Sequence, residues 1–175
     1  TAIEVPVNEL FSADFMTKKS DYLFMISTQS DTMIYMYSLP DLKFVRNFGV
    51  KGKGPGEFQL PMFVESPGDD LFLWGFSKLN MVRRFAIDST GDINRKEDYS
   101  LKKYETFNQM HIIRDSIFVY SLVPTRYVIQ EYDLKNQKDL GKIDIATDRD
   151  SDNPSLFSNR GIMTANDSFI VYAYD

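Results

Sequence analysis

Asp21-Tyr-Leu-Phe-Met25, Asp69-Asp-Leu-Phe-Leu73, Asp115-Ser-Ile-Phe-Val119 and Asp167-Ser-Phe-Ile-Val171 are four versions of one short phrase, an acidic residue followed by a mostly apolar run. Their first residues stand 48, 46 and 52 positions apart. A second phrase, Tyr37-Ser-Leu39, Phe85-Ala-Ile87 and Tyr132-Asp-Leu134, keeps spacings of 48 and 47. Two separate anchors holding one period mark a structural repeat, in which each unit buries its apolar faces against its neighbours.

Within the period the pattern is strand, turn, strand. Apolar and β-branched runs predict strands at 22–27, 33–39 and 43–48, at 71–75, 81–87 and 93–99, and at 117–122, 127–134 and 140–145. Pro40-Asp41, Asp88-Ser-Thr-Gly91-Asp92 and Lys135-Asn-Gln-Lys138 supply turns between them. A further strand fits ahead of the later units at 62–66, 107–114 and 161–165, which makes four strands per unit. A lone four-stranded antiparallel sheet leaves two faces and its edges uncovered, and radial stacking of such sheets resolves both.

The expected fold is therefore all-β, a β-propeller of four-stranded antiparallel blades, in a single domain or fragment over 1–175. Blade one is about 11–48, blade two about 60–99, blade three about 107–145 and a partial blade four about 161–175. A β-sandwich is the alternative, but a sandwich needs no fixed period. About three and a half blades fall short of the roughly 4 to 8 that close a ring. Further blades, or a second copy, are expected to complete it, with Ile3-Glu-Val-Pro-Val7 as the outer strand of the last blade.

Composition narrows the chemistry. The 20 Lys and Arg against 25 Asp and Glu give a net charge of -5 and a pI near 4.9, the wrong sign for a surface that neutralises phosphates, so nucleic acid is not an expected partner. With no Cys and one His, this chain offers no cysteine nucleophile, disulfide framework or Cys/His zinc cluster. No apolar run approaches the roughly 20 residues of a membrane helix. Thr1-Ala-Ile-Glu-Val5 lacks the features of a signal peptide, and the natural start is expected upstream of Thr1.

The stretch Phe48-Gly49-Val-Lys-Gly52-Lys-Gly54-Pro55-Gly56-Glu57-Phe58 is followed by Pro61, Leu71-Phe72-Leu73, Asn80, Arg83, Phe85 and Asp88-Ser-Thr-Gly91. It resembles an NHL-type propeller repeat, departing from that pattern at Gly75 and in the position of Arg83. With its long blades the chain is also similar to the six-bladed TolB-like propellers of exported Bacteroidetes proteins. That resemblance implies a six-bladed ring and a non-catalytic binding or scaffolding role. It also implies a periplasmic or cell-surface lipoprotein, with a protein, small-molecule or glycan ligand on one propeller face. The competing reading is a metal-dependent propeller hydrolase or lyase, lactonase-like or strictosidine-synthase-like.

The glycine-rich loop itself reads as structural: its glycines permit unusual backbone, Pro55 stiffens the crossing between blades, and Phe58 plugs the gap between sheets. Lys51 and Lys53 suggest a phosphate cradle, but such loops run into a helix and nothing after Glu57 reads as one. In the propeller geometry that the resemblance implies, ligands meet the loops between second and third strands, where Phe76, Lys78 and Arg126 are the residues best able to grip one. His111 falls on an inner strand that would border the central channel, which makes it a further candidate ligand-binding residue; the alternative is a packed strand histidine, since no second His exists to share a metal with it. Asp148, Asp150 and Asp152 alternate as calcium ligands do, but Asn153 and Asn159 replace the Gly and Glu of such a loop, so a solvated acidic loop is expected and no cofactor is required.

Overall fold

The first three acidic anchors of the repeat stand where the chain reverses between an inner strand and the next. Strands β1 (Phe15–Lys19) and β2 (Tyr22–Ile26) are joined at Ser20-Asp21, with Ser20 at φ 48°. Strand β5 (Leu60–Val64) leads to β6 (Leu71–Phe76) past Gly68 at φ 73°, and β9 (Phe107–Ile113) leads to β10 (Ile117–Leu122) through Arg114 and Asp115 at 47° and 63°. Left-handed backbone is confined to a few residue types, among which Asp is tolerated, and a two-residue reversal demands it. The computed structural model describes residues 12–76, 80–101, 107–122, 128–144, 159–165 and 168–174.

The second anchor lies on the third strands, β3 (Thr32–Ser38), β7 (Met81–Ile87) and β11 (Val128–Asp133). Its aromatic residues Tyr37, Phe85 and Tyr132 are all buried. The Leu39 N–H donates to the Asp21 carbonyl at 2.8 Å, and the Leu134 N–H donates to the Ser116 carbonyl at 3.0 Å. The two anchors thus face each other across one hairpin, which is why they keep step along the chain.

Outer strands β4 (Lys43–Val50), β8 (Ile93–Ser100) and β12 (Lys138–Asp144) complete three four-stranded sheets, ordered β1-β2-β3-β4, β5-β6-β7-β8 and β9-β10-β11-β12. Strands β13 (Asn159–Ala165) and β14 (Ser168–Tyr174) pair antiparallel over seven residues, from Asn159 against Tyr174 to Ala165 against Ser168. All the described elements are strands, as the repeat predicts, and the sheets are propeller blades. The strand bounds differ from expectation by one or two residues, the inner strand expected at 62–66 being Leu60–Val64. Blade one carries an inner strand that no apolar run announces: β1 reads Phe-Met-Thr-Lys-Lys and is largely exposed.

The chain divides into two compact units, one of residues 1–63 and 68–98, the other of 64–67 and 99–175. In the first unit, alternate residues of the first sheet (Phe24, Ile26, Ile34 and Met36) share a core with Leu71, Leu73 and Phe85 of the second, and Phe58 sits in that core 2% exposed. The opposite face of the first sheet buries Met25, Tyr35 and Tyr37 against Leu23 and Leu42. Buried residues on both faces of the first sheet account for its near-continuous apolar strands. In the second unit Ile113, Val119 and Ile129 pack together, and the Phe107 ring meets those of Phe118 and Tyr120 edge-on at 5.4 and 4.8 Å.

Candidate functional site

The crossing from β4 to β5 borders a concavity in the first unit. The Phe58 N–H donates to the Val50 carbonyl and the Gly52 N–H to the Phe58 carbonyl, both at 2.9 Å, so the loop closes on itself. Inside it the Glu57 carboxylate accepts the Gly54 N–H at 2.7 Å. A Cβ on Gly52 would lie 1.9 Å from Glu57 Oε2, so the glycine leaves room for a carboxylate of the chain itself. A backbone amide that a phosphate would use is therefore already occupied. Lys51 Nζ donates to the Thr28 carbonyl at 3.0 Å, and the loop continues into strand β5 without a helix. Phe58 fills the space between the two sheets, as its place after the glycines predicts.

Arg83 locks this loop from the second blade. It is 3% exposed, its Nη1 donates to the Glu57 carbonyl at 3.0 Å, and its guanidinium carbon sits 4.4 Å from the Phe58 ring centroid. A cation over an aromatic face is attracted to it, more so when water is excluded. Burial pushes Arg83 down from its ordinary value, Asp98 opposes that, and the neighbouring Arg95 charge adds to it. Asn80 likewise serves the blade, accepting the buried Trp74 indole N–H at 2.5 Å.

Beside the loop lies a cleft of about 340 Å3 lined by Phe48, Gly49, Val50, Pro55, Gly56, Glu57, Phe58, Arg83, Phe85 and Arg95. Arg95 bonds Asp98 through Nε at 2.7 Å and through Nη2, which raises Arg95 from its ordinary value. The cleft thus combines aromatic walls with two guanidinium groups. In the sequence Arg83 stands out only as part of a repeat motif, and nothing singles out Arg95. Arg95 is one charge among several on an exposed outer strand, and only the packing of the two sheets brings it into one cleft with Phe48 and Phe58.

Of the residues singled out from sequence, Phe76 ends β6, where its backbone alone is described. Lys78, Arg126, Asp148, Asp150 and Asp152 lie outside the described residues. His111 is on β9, paired with Val119 of β10 and bridged to Glu65. It is 8% exposed, its Nδ1 has no hydrogen-bond partner among the described residues, and burial pushes its pKa down to about 4. At neutral pH it is an uncharged, packed imidazole. Among the described residues no three His, Asp or Glu side chains converge as metal ligands.

Four-stranded blades following one another at a fixed period define a β-propeller. A family model described as TolB-like 6-blade propeller-like matches residues 9–174, and the chain belongs to that family. No curated protein shows a significant match to it.

Proposed function

We propose that the chain is a non-catalytic binding or scaffolding part of a propeller. The observation that supports this reading is what its interior polar groups do: Arg83, Asn80 and Glu57 direct their hydrogen bonds into the blades. His111 is buried in the uncharged form. Catalysis needs an acid, base or metal ligand presented to substrate, whereas these groups serve the fold. In this reading Phe76, Lys78 and Arg126 grip a protein, small-molecule or glycan ligand at the loop face, by apolar contact and charge. Further blades or a second copy close the ring.

Resemblance to exported relatives supports a periplasmic or cell-surface lipoprotein that carries an NHL-type crossing loop. Asp148, Asp150 and Asp152 are the place where calcium would enter the competing hydrolase reading. The test screens the purified chain against immobilised glycans and peptides, and repeats the screen with Phe76, Lys78 and Arg126 all changed to Ala. Binding that disappears in the triple variant while its far-UV circular dichroism is unchanged supports the reading. Calcium-dependent hydrolysis of lactones by the unaltered chain would overturn it.

A further inference from the structure

We propose that the cleft beside the crossing loop is a second binding site, taking a carboxylate carried on a short apolar body and held by Arg83 and Arg95. Its size, about 340 Å3, is at the small end of ligand sites, which run from about 300 to 1,000 Å3 and combine apolar walls with a few polar groups. Phe48, Val50, Phe58 and Phe85 supply the walls. The polar groups are unevenly matched. Glu57, the carboxylate lining the cleft, accepts the Gly54 N–H, while two guanidinium groups share Asp98.

Each guanidinium carries five donors in a planar fork suited to a carboxylate. Arg95 gives Nε and Nη2 to Asp98, leaving Nη1 beside Gly56, where a built Cβ would be 3.6 Å from it. Arg83 gives Nη1 to the Glu57 carbonyl and Nε to the Met81 sulfur at 3.3 Å, with Asp98 at 3.9 Å. Burial and the Arg95 charge both act against the charged form of Arg83, so an anion entering beside it would favour that form. The apolar walls favour a hydrocarbon body over a bare ion. A free acid and the C-terminal residue of a peptide share that chemistry.

This site shares with the proposed function only the idea that the chain holds its ligand unchanged. It uses none of Phe76, Lys78 or Arg126, so either can fail alone. The probes are 3-phenylpropionate, its amide, phenyl phosphate, and N-acetyl-Gly-Phe with a free or an amidated C-terminus, titrated by ligand-observed NMR. For a ligand of this size the expected Kd is on the order of 1 mM. Arg95→Ala should weaken the acid roughly tenfold or more, the loss of a charged hydrogen bond. Asp98→Asn, which frees Arg95, should tighten it. Val50→Glu, at a position 56% exposed, keeps the core and should abolish binding by charge. Free acid binding with peptide failing assigns the site to small acids, and the converse assigns it to chain termini. Equal binding of acid and amide, tighter binding of phenyl phosphate, no saturation, or an unchanged Kd in both Arg95→Ala and Val50→Glu would each overturn the proposal.

Discussion

Gly49 and Gly68 both hold left-handed backbone, at φ 78° and 73°, but in opposite surroundings. A Cβ on Gly49 would come within 2.8 Å of the Ile34 Cδ1, inside the fully buried core, whereas nothing lies within 4 Å of one on Gly68. Backbone strain costs about 1–2 kcal/mol at either, and overpacking adds about 1–3 kcal/mol at Gly49 alone. Urea unfolding should therefore show Gly49→Ala losing at least about 2 kcal/mol and Gly68→Ala about 1 kcal/mol. Equal losses would mean that the core yields around Ile34. His111 makes a different prediction. Unfolded, it takes a proton near pH 6.5; folded, only near 4. Between those values the unfolded state binds more protons, so stability is fully present above pH 6.5 and falls by up to about 3 kcal/mol on acidification to 4. His111→Leu should flatten that window. Asp14, Asp88 and Asp133, held below the usual carboxylate range by their hydrogen bonds, lose their contribution only at lower pH.

Strands show which features a sequence makes legible. Hairpins β2-β3, β6-β7 and β10-β11 are visible because their buried aromatic and aliphatic residues recur with the turn residues that align them, from Phe24 and Tyr37 to Phe118 and Tyr132. Strand β1 is not, since Phe15 and Met16 are exposed and Lys18 and Lys19 read as a polar loop. It exists because β2 offers it a ladder from Phe15 against Ile26 to Lys19 against Tyr22. The structural role of the crossing loop is legible from Gly52 and Phe58. The cleft is not, because it joins Phe48 of β4 in one sheet to Arg95 of β8 in the next, a packing of two sheets that no local pattern encodes. Outer strand β8 also carries the exposed run Asn94-Arg-Lys-Glu-Asp98, and charge on an edge discourages pairing with another chain. Changing Lys96 and Glu97 together to Val should produce concentration-dependent oligomers in size-exclusion chromatography. A variant that elutes as the unaltered chain does would show that the edge is protected by shape instead of charge.

On the scale of the whole chain, stability should be uneven. Repeat architectures gain stability from each unit and from its interfaces with its nearest neighbours, and large chains depart from all-or-none unfolding. The two compact units carry separate reporters. Trp74, the one tryptophan in the sequence, is 2% exposed in the first unit, hydrogen-bonded to Asn80, so its fluorescence follows that unit. His111, whose burial makes the fold acid-sensitive, belongs to the second. Far-UV circular dichroism follows the strands of both. Urea titrations at pH 7 and at pH 4.5 should therefore lower the dichroism midpoint more than the Trp74 midpoint, and His111→Leu should remove the difference. If the two midpoints fell together, the acid penalty at His111 would be borne by the chain as one cooperative body, and the two units would not unfold separately.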